Sequence, residues 1–459
     1  MSAIFSEHFR AVTFRRLWVA LAEAQQELGL GITDGQIAEL RANIENIDHG
    51  FIERKEREIR HDVMAHIHAY AEKCPTARGI IHLGATSAYV GDNTDLIQMR
   101  AALQRIQRSL INVIEALAAF ARRTKDVATL AFTHFQPAQP TTVGKRACLW
   151  LQDFLLDFRD LGRRIEDLPF LGAKGATGTQ ASYLELFDGD EQKACRLDER
   201  VAEKMGFPRL LLVAGQTYPR KVDAQIADLL AAVAQSAHKF SNDIRLLQHL
   251  REIEEPFEDQ QVGSSAMPYK RNPMRAERMA ALSRYVITAA QSPSITAASQ
   301  WFERTLDDSA NKRLAIPEMF LATDGILALA LNVARGLVVH EGVIRRHLEA
   351  ELPFMATEYL LLAAVQKGGD RQALHERLRE HCLAATERIV DGDGKNDLLE
   401  RLASDPAFPL ADDSWASLLD ARRYVGRAPS QVDEFLRAEV DSLLVEHADL
   451  LGADAGLRV

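Results

Sequence analysis

Residues 96–120 read LIQMRAALQRIQRSLINVIEALAAF. Apolar residues stand at Leu96, Met99, Leu103, Ile106, Leu110, Val113, Leu117 and Phe120, separated by alternating steps of three and four. Such steps put one side chain per turn on a single stripe of an α-helix, the seam of a bundle packed at a shallow angle. A helix from Asp95 to about Ala121 spans ~40 Å at 1.5 Å per residue. Residues 141–167, 219–252, 274–291 and 310–337 carry helical patterns as well. Strand-like alternation is scarce, and no short repeat or low-complexity linker is evident. The fold class read from this pattern is all-α with a central long-helix bundle, and the surplus of apolar seams points to self-association.

Bulk properties set bounds on partners. The chain has 459 residues, 47% hydrophobic and 26% charged, an ordinary globular profile. A net charge of −10 argues against nucleic acid, which needs a basic footprint. No apolar run of about 18 residues and no signal-peptide pattern after Met1 are evident, so no membrane partner is expected. Cys74, Cys148, Cys195 and Cys382 are widely spaced and form no CxxC. Reduced thiols and a cytoplasmic location follow as the expectation.

A second stretch carries the chemistry. Residues 263–273 read GSSAMPYKRNP, with helical sequence directly after. Gly263 gives backbone freedom, Ser264 and Ser265 bring exchangeable protons, and Lys270 and Arg271 bring positive charge. Asn272 is read as the cap of the next helix with Pro273 at its first position, leaving free N–H groups to face an anion. The inventory suits a mobile loop closing on an anionic substrate.

With its flanks, this stretch reads SSAMPYKRNPMRAER and resembles the signature loop of the fumarase/aspartase superfamily. The form is similar to the adenylosuccinate lyase family, in its animal-type branch. The segments RHDVMAH (60–66), HLGATSAYVGDNTD (82–95), THFQPAQPTTVGKR (133–146), KGATGTQAS (174–182), GQTYPRKVD (215–223) and WFERTLDDSANKR (301–313) match in the same order. The resemblance implies three helical domains, with boundaries placed at 1–86, 87–339 and 340–459, the central one carrying the loop. It also implies a homotetramer with active sites shared between subunits, and small-molecule substrates: a succinylated purine nucleotide and its ribotide precursor. No cofactor and no metal are expected.

Eliminating fumarate from a C–N bond takes a base beside a carboxylate, an acid for the departing nitrogen, and fixed donors for the developing charge. Ser264 matches the family's base, with Ser265 as its rival. Lys270 would stabilise the alkoxide once closure excludes water. His134, in a loop-like segment with Thr133, is the acid, its ordinary pKa near 6.5 suiting proton donation. The resemblance makes Glu277 the residue that orients His134. It makes Arg60, His61, Asp62, Thr86, Ser87, Thr133, Gln216, Asn272, Arg278, Arg304, Ser309 and Arg313 substrate binders, of which Arg304 and Arg313 suit phosphate or carboxylate. His66, His68, His375 and His381 are read as surface or interface residues, since His61 and His66 stand five apart and no HExxH occurs. KGATGTQAS is neither GxGxxG nor GxxxxGK[ST], and the resemblance implies only that it lines the active site.

One departure stands out. The resemblance implies an Arg-Tyr pair that binds phosphate in a short segment before the first helix, and here the match begins at about Met1. The expectation is a start internal to the true reading frame and weak substrate binding by the chain as it stands. Two rival readings remain: argininosuccinate lyase, whose substrate lacks phosphate, and a non-catalytic crystallin-like scaffold.

Overall fold

The computed structural model describes residues 1–258, 260–408, 420–454 and 456. The chain opens with α1 (Glu7–Glu27), α2 (Asp34–Ala42), α3 (His49–Ile59), α4 (Asp62–Lys73) and the long α5 (Ser87–Arg123). Strands β1 (Ala128–Thr133) and β2 (Gln136–Thr142) follow, then α6 (Val143–Asp167), α7 (Ala181–Leu186), α8 (Glu191–Lys204) and α9 (Lys221–His249). After β3 (Ile253–Glu254) come α10 (Met274–Ala289), α11 (Gln291–Ala298), α12 (Asp308–Gly336) and β4 (Val338–Val339). Helices α13 (Glu341–Met355), α14 (Thr357–Gln366), α15 (Arg371–Asp391) and α16 (Leu398–Ala403) lead into short helical turns from Ala421 onward. The described strands pair as two small antiparallel sheets, β1 with β2 and β3 with β4. The all-α expectation holds.

All eight seam residues of 96–120 are at most 1% exposed. They belong to α5, which is 37 residues long. The other expected long helices appear within a few residues of their expected ends, with one difference. Thr141 and Thr142, expected to open α6, instead close β2, which pairs with 128–133. Pro137 and Pro140 lack N–H groups and obscure a strand in the sequence, but β2 pairs here with β1 alone, where prolines are tolerated.

By internal packing the described chain divides into two compact units. The first comprises Met1–Leu110, Leu156–His238 and Met279–Ala328. Trp18 lies against Tyr70 with ring centroids 5.9 Å apart, and its indole N–H donates to His82 Nδ1 at 2.9 Å. The second unit comprises Ile111–Leu155, Lys239–Arg278 and the described residues from Leu329 on. There Trp150 packs edge-on to Phe240 at 5.2 Å and donates to Asp243 at 2.6 Å. Helix α12 is apolar and long enough to cross a membrane by length and composition alone. In the fold its Met319, Phe320, Ile326, Leu327, Ala330 and Val333 are buried core residues.

His66, expected at the surface or an interface, is half-buried: its ring packs against Phe14 at 5.1 Å, and burial pushes its pKa down to about 4. His381 likewise holds a partner, Asp405, at 2.9 Å.

Two predictions follow from this packing. Ile106, fully buried on the seam, should cost about 2–5 kcal/mol when cut to Ala. A denaturant midpoint for Ile106→Ala no lower than that of the exposed control Gln104→Ala would contradict it. The second concerns acid. The folded chain keeps His66 neutral down to about pH 4, whereas the unfolded chain takes up a proton near 6.5. Stability from this group is therefore full above about 6.5 and is lost as pH falls toward 4. His66→Gln should flatten the decline of the denaturant midpoint between pH 7 and 4.5, and an unchanged slope would count against this account.

Candidate active site

In the first unit, the turn between α3 and α4 sets three expected binders in place. Arg60 follows α3 with a left-handed φ of 54°, which breaks the helix and re-aims the chain. His61 then caps α4: its Nδ1 accepts the Met64 N–H at 3.3 Å. A nitrogen that accepts carries no proton, so the ring proton sits on Nε2, 3.5 Å from Ser87 Oγ. Thr86 precedes α5 and accepts the Tyr89 N–H through its carbonyl at 2.8 Å, which leaves Ser87 at the helix start. Gln216 is fixed on a second side, its N–H to Glu303 O and its side chain to Ala176 O, both at 3.0 Å. The 174–182 loop meets it by a close approach. Gly178 has φ 82°, and a Cβ there would stand 1.8 Å from Ala214 O.

These elements enclose a cavity of about 900 Å³ whose wall includes Arg60, His61, Asp62, Ser87, Gln216, Arg304, Ser309 and Arg313. Eight residues expected to bind substrate thus meet in one place; Thr86 is the neighbour of one of them. The Arg60 side chain has no hydrogen bond or ion pair among the described residues. Arg304 and Arg313 approach carboxylates only at 3.7 Å, Asp308 and Asp62 respectively. Three guanidinium groups therefore keep their N–H donors free for an anion, in a chain whose net charge is −10. His68 and the 174–182 loop are not in this wall.

Part of this wall, Asp92, Asp95 and Lys312, belongs to a charge cluster that the sequence reading missed, with the buried Arg220 and Asp308 behind it. Asp92, on α5, takes the Arg220 guanidinium at 3.0 Å and Lys312 at 3.1 Å. Lys312 also reaches Asp95 at 2.5 Å, and Arg220 reaches Asp308 at 2.5 Å. Burial alone would push the Asp92 carboxyl up, but Lys312 and Arg220 outweigh it and hold the group below its ordinary value. Asp223, fully enclosed and taking the Tyr218 hydroxyl at 2.7 Å, goes the other way: burial pushes it up to about 6. The signal was present in the sequence, since GDNTD, TYPRKVD and DDSANKR all carry charges. Read singly, each charge passes for a solvated helix face.

In the second unit, His134 and Phe135 form the two-residue turn between β1 and β2, with φ of 52° and 60°. Positive φ at both central residues marks the primed turn that suits a hairpin, usually filled by Asn-Gly. Two bulky residues there are strained, which is common at functional sites. The hairpin lifts the His134 ring clear of any hydrogen bond or ion pair among the described residues. Thr133 is the last residue of β1 and is exposed.

The 263–273 loop differs from expectation at its end. Asn272 does not cap α10; its side-chain N–H donates to Gly263 O at 3.0 Å. Pro273 precedes the helix, and the N–H groups of Arg275 and Ala276 are taken by the Glu255 carboxylate at 3.0 and 2.9 Å. An internal carboxylate thus occupies the helix N-terminus that was expected to face substrate. Gly263 is required by space, since a Cβ there would stand 2.3 Å from Lys270 O. Ser264 Oγ accepts the Met267 N–H at 3.2 Å. Arg271 lies over the Phe257 ring at 5.0 Å, while the Lys270 ammonium has no partner among the described residues. Glu277 lines a cavity of about 560 Å³ with Arg245, His249 and Arg271, and Arg278 lines another with Glu258 and Arg275. No hydrogen bond or ion pair joins His134, Ser264, Lys270 and Glu277 to one another among the described residues.

Comparison with known proteins gives the family. A family model described as "Lyase" matches residues 7–288, and one described as "Adenylosuccinate lyase C-terminus" matches 353–435. The adenylosuccinate lyase of Saccharomyces cerevisiae is 48% identical over 447 residues, covering 97% of this chain and 93% of the relative. That of Schizosaccharomyces pombe is 47% identical over 454 residues, covering 98% and 94%. Among solved structures, a fumarate lyase from Mesorhizobium sp. BNC1 superposes with a TM-score of 0.82 at 26% identity, over 95% of this chain and 97% of its own. With identity of this level sustained over nearly the full length, the chain belongs to the adenylosuccinate lyase family of the fumarase/aspartase superfamily and is a carbon–nitrogen lyase.

Proposed function

We propose that the chain releases fumarate from adenylosuccinate, giving AMP, and from the succinyl-aminoimidazole carboxamide ribotide (SAICAR), giving AICAR, in purine nucleotide biosynthesis. The observation that carries this reading is the 900 Å³ cavity with Arg60, Arg304 and Arg313 uncommitted in its wall. Both substrates bring two carboxylates and one phosphate, and planar guanidinium forks match each of these groups. Ser87, Ser309, Gln216 and His61 add neutral donors for the remaining polar atoms.

Ser264 takes the proton from the carbon beside a succinyl carboxylate. The electrons of that C–H bond form the new double bond as the C–N bond breaks. The departing nitrogen takes the C–N electron pair and a proton from His134. The Met267 N–H directed at Ser264 Oγ favours its ionised form, and Lys270 adds charge without being committed elsewhere. Lys270 and Asn272 meet the charge that builds on the carboxylate.

The proposed assembly is a homotetramer whose subunits share sites. Leu149 and Leu156 on α6, Leu246 on α9, and Leu314 and Leu321 on α12 are at least 40% exposed, apolar surface that a second copy would cover. A cytoplasmic location fits the four unpaired thiols.

Two experiments test the reading. Incubation with adenylosuccinate, SAICAR and argininosuccinate should release fumarate from the first two only. Release from argininosuccinate alone would move the chain to the phosphate-free branch, and release from none would favour the scaffold reading. Ser264→Ala and His134→Gln should each lower kcat by about 10²–10⁴-fold with the oligomer intact. Ser265→Ala should stay within severalfold of wild type, and the reverse pattern would transfer the base role to Ser265.

A further inference from the structure

We infer that Arg220 is a positioning residue that holds the anion-binding wall of the cavity in register, an inference that rests on reading this cavity as the substrate site. Arg220 does not line the cavity, and its side chain is 1% exposed. Its guanidinium faces two ways. Nη1 and Nη2 meet the two oxygens of Asp92 at 3.0 and 3.3 Å, and Nε meets Asp308 at 2.5 Å. The Tyr218 ring backs the group at 4.3 Å.

Three chain segments converge on this one cation. Asp92 belongs to α5, whose first residue is Ser87. Arg220 itself follows Gln216 by four residues and immediately precedes α9. Asp308 opens α12, and Ser309 and Arg313 stand on the turns just after it. Arg304 depends on the same carboxylate: its Nη1 lies 3.7 Å from Asp308, beyond hydrogen-bond reach. Charge alone holds Arg304 near the wall, so its donors stay free for a ligand. Lys312 makes a second tie between α12 and α5, through Asp92 and Asp95.

Without Arg220, Asp92 and Asp308 would be two buried carboxylates on neighbouring elements with less charge between them. Their repulsion would separate the start of α12 from α5 and spread the residues that close on the phosphate. A buried ion pair contributes little net stability beside well-packed apolar groups, because desolvation offsets the attraction. A planar fork nevertheless fixes distance and angle together, which a point charge does not. The role inferred is therefore geometric, and a lysine should not fill it.

The test is Arg220→Lys, assayed at a temperature well below its unfolding midpoint. The KM for adenylosuccinate and the inhibition constant of AMP should both rise about tenfold or more, with kcat within about threefold of wild type. The inhibition constant of adenosine, which lacks phosphate, should change less than about twofold. Hydrogen exchange at residues 304–313 should be faster. Asp308→Asn, which loosens the same tie from a residue that does not line the cavity, should move the same quantities in the same direction and serves if Arg220→Lys does not fold. Equal weakening of AMP and adenosine, or a fall in kcat alone that tracks the folded fraction, would reduce Arg220 to a structural residue. Unchanged exchange at 304–313 would also overturn the inference. Absence of turnover of adenylosuccinate by the wild-type enzyme would instead remove the substrate assignment, and the exchange measurement would still decide the role of Arg220.

Discussion

An α-helix of 37 residues cannot keep a continuous apolar stripe dry by itself, and this constraint governs the molecule. Each seam residue of α5 between Leu96 and Phe120 is removed from water almost completely. Every such side chain contributes roughly 1.5–3 kcal/mol on burial. The gain is available only if long, straight elements run beside the stripe for its whole length. Helices of comparable length, α6, α9 and α12 with 25, 29 and 29 residues, are present in the chain. Both ends of α5 then become fixed platforms. Ser87 starts the helix, while the Thr124 carbonyl just after its end accepts the Gly144 N–H at 3.0 Å, rooting the region of the β1–β2 hairpin.

A bundle built this way has little tolerance for charge, yet the first unit buries Asp92, Arg220, Asp223 and Asp308. Apolar replacements of similar shape would cost little stability and could gain some. What the charges supply is directionality. Asp92 accepts hydrogen bonds from Arg220, Lys312 and the Tyr218 N–H, the last at 3.2 Å, which narrows the arrangements open to it. Leucines in the same volume would fill space in several ways. A wall that must present Arg304, Ser309 and Arg313 at set separations needs the single arrangement.

The long helices were legible in the sequence because a 3.6-residue period repeated over seven turns is hard to mimic by chance. The β1–β2 hairpin was not, since Pro137 and Pro140 argue against a strand and His-Phe is an unusual primed turn. The helix start at 274 was nearly right in position and wrong in mechanism. Its capping group is Glu255, distant in sequence, which no local pattern can announce. The binders gathered in the 900 Å³ cavity were named only through resemblance, because nothing local separates Arg313 from a solvated arginine. Arg220 escaped even that, since its importance arises from carboxylates 128 and 88 residues away in the chain.

The signature loop shows how a flexible tip can be built on a rigid base. The Asn272 amide bonds to the Gly263 carbonyl, and the Gly263 Cα lies so close to Lys270 O that no side chain fits between. Gln248 takes the Arg271 carbonyl at 3.1 Å, and Arg271 itself is committed to Phe257 and Glu254. Both ends of the loop are therefore pinned to the same place. Among the described residues, 264–269 make only local bonds: the Met267 N–H to Ser264 Oγ, the Lys270 N–H to the Met267 carbonyl and the Tyr269 hydroxyl to Met267 Sδ. A segment tied at its base and unsecured beyond it can swing without disturbing α10, whose N-terminus is already satisfied by Glu255. The glycine, which the sequence presents as a source of freedom, acts instead as the clamp that confines movement to the residues carrying the proposed base.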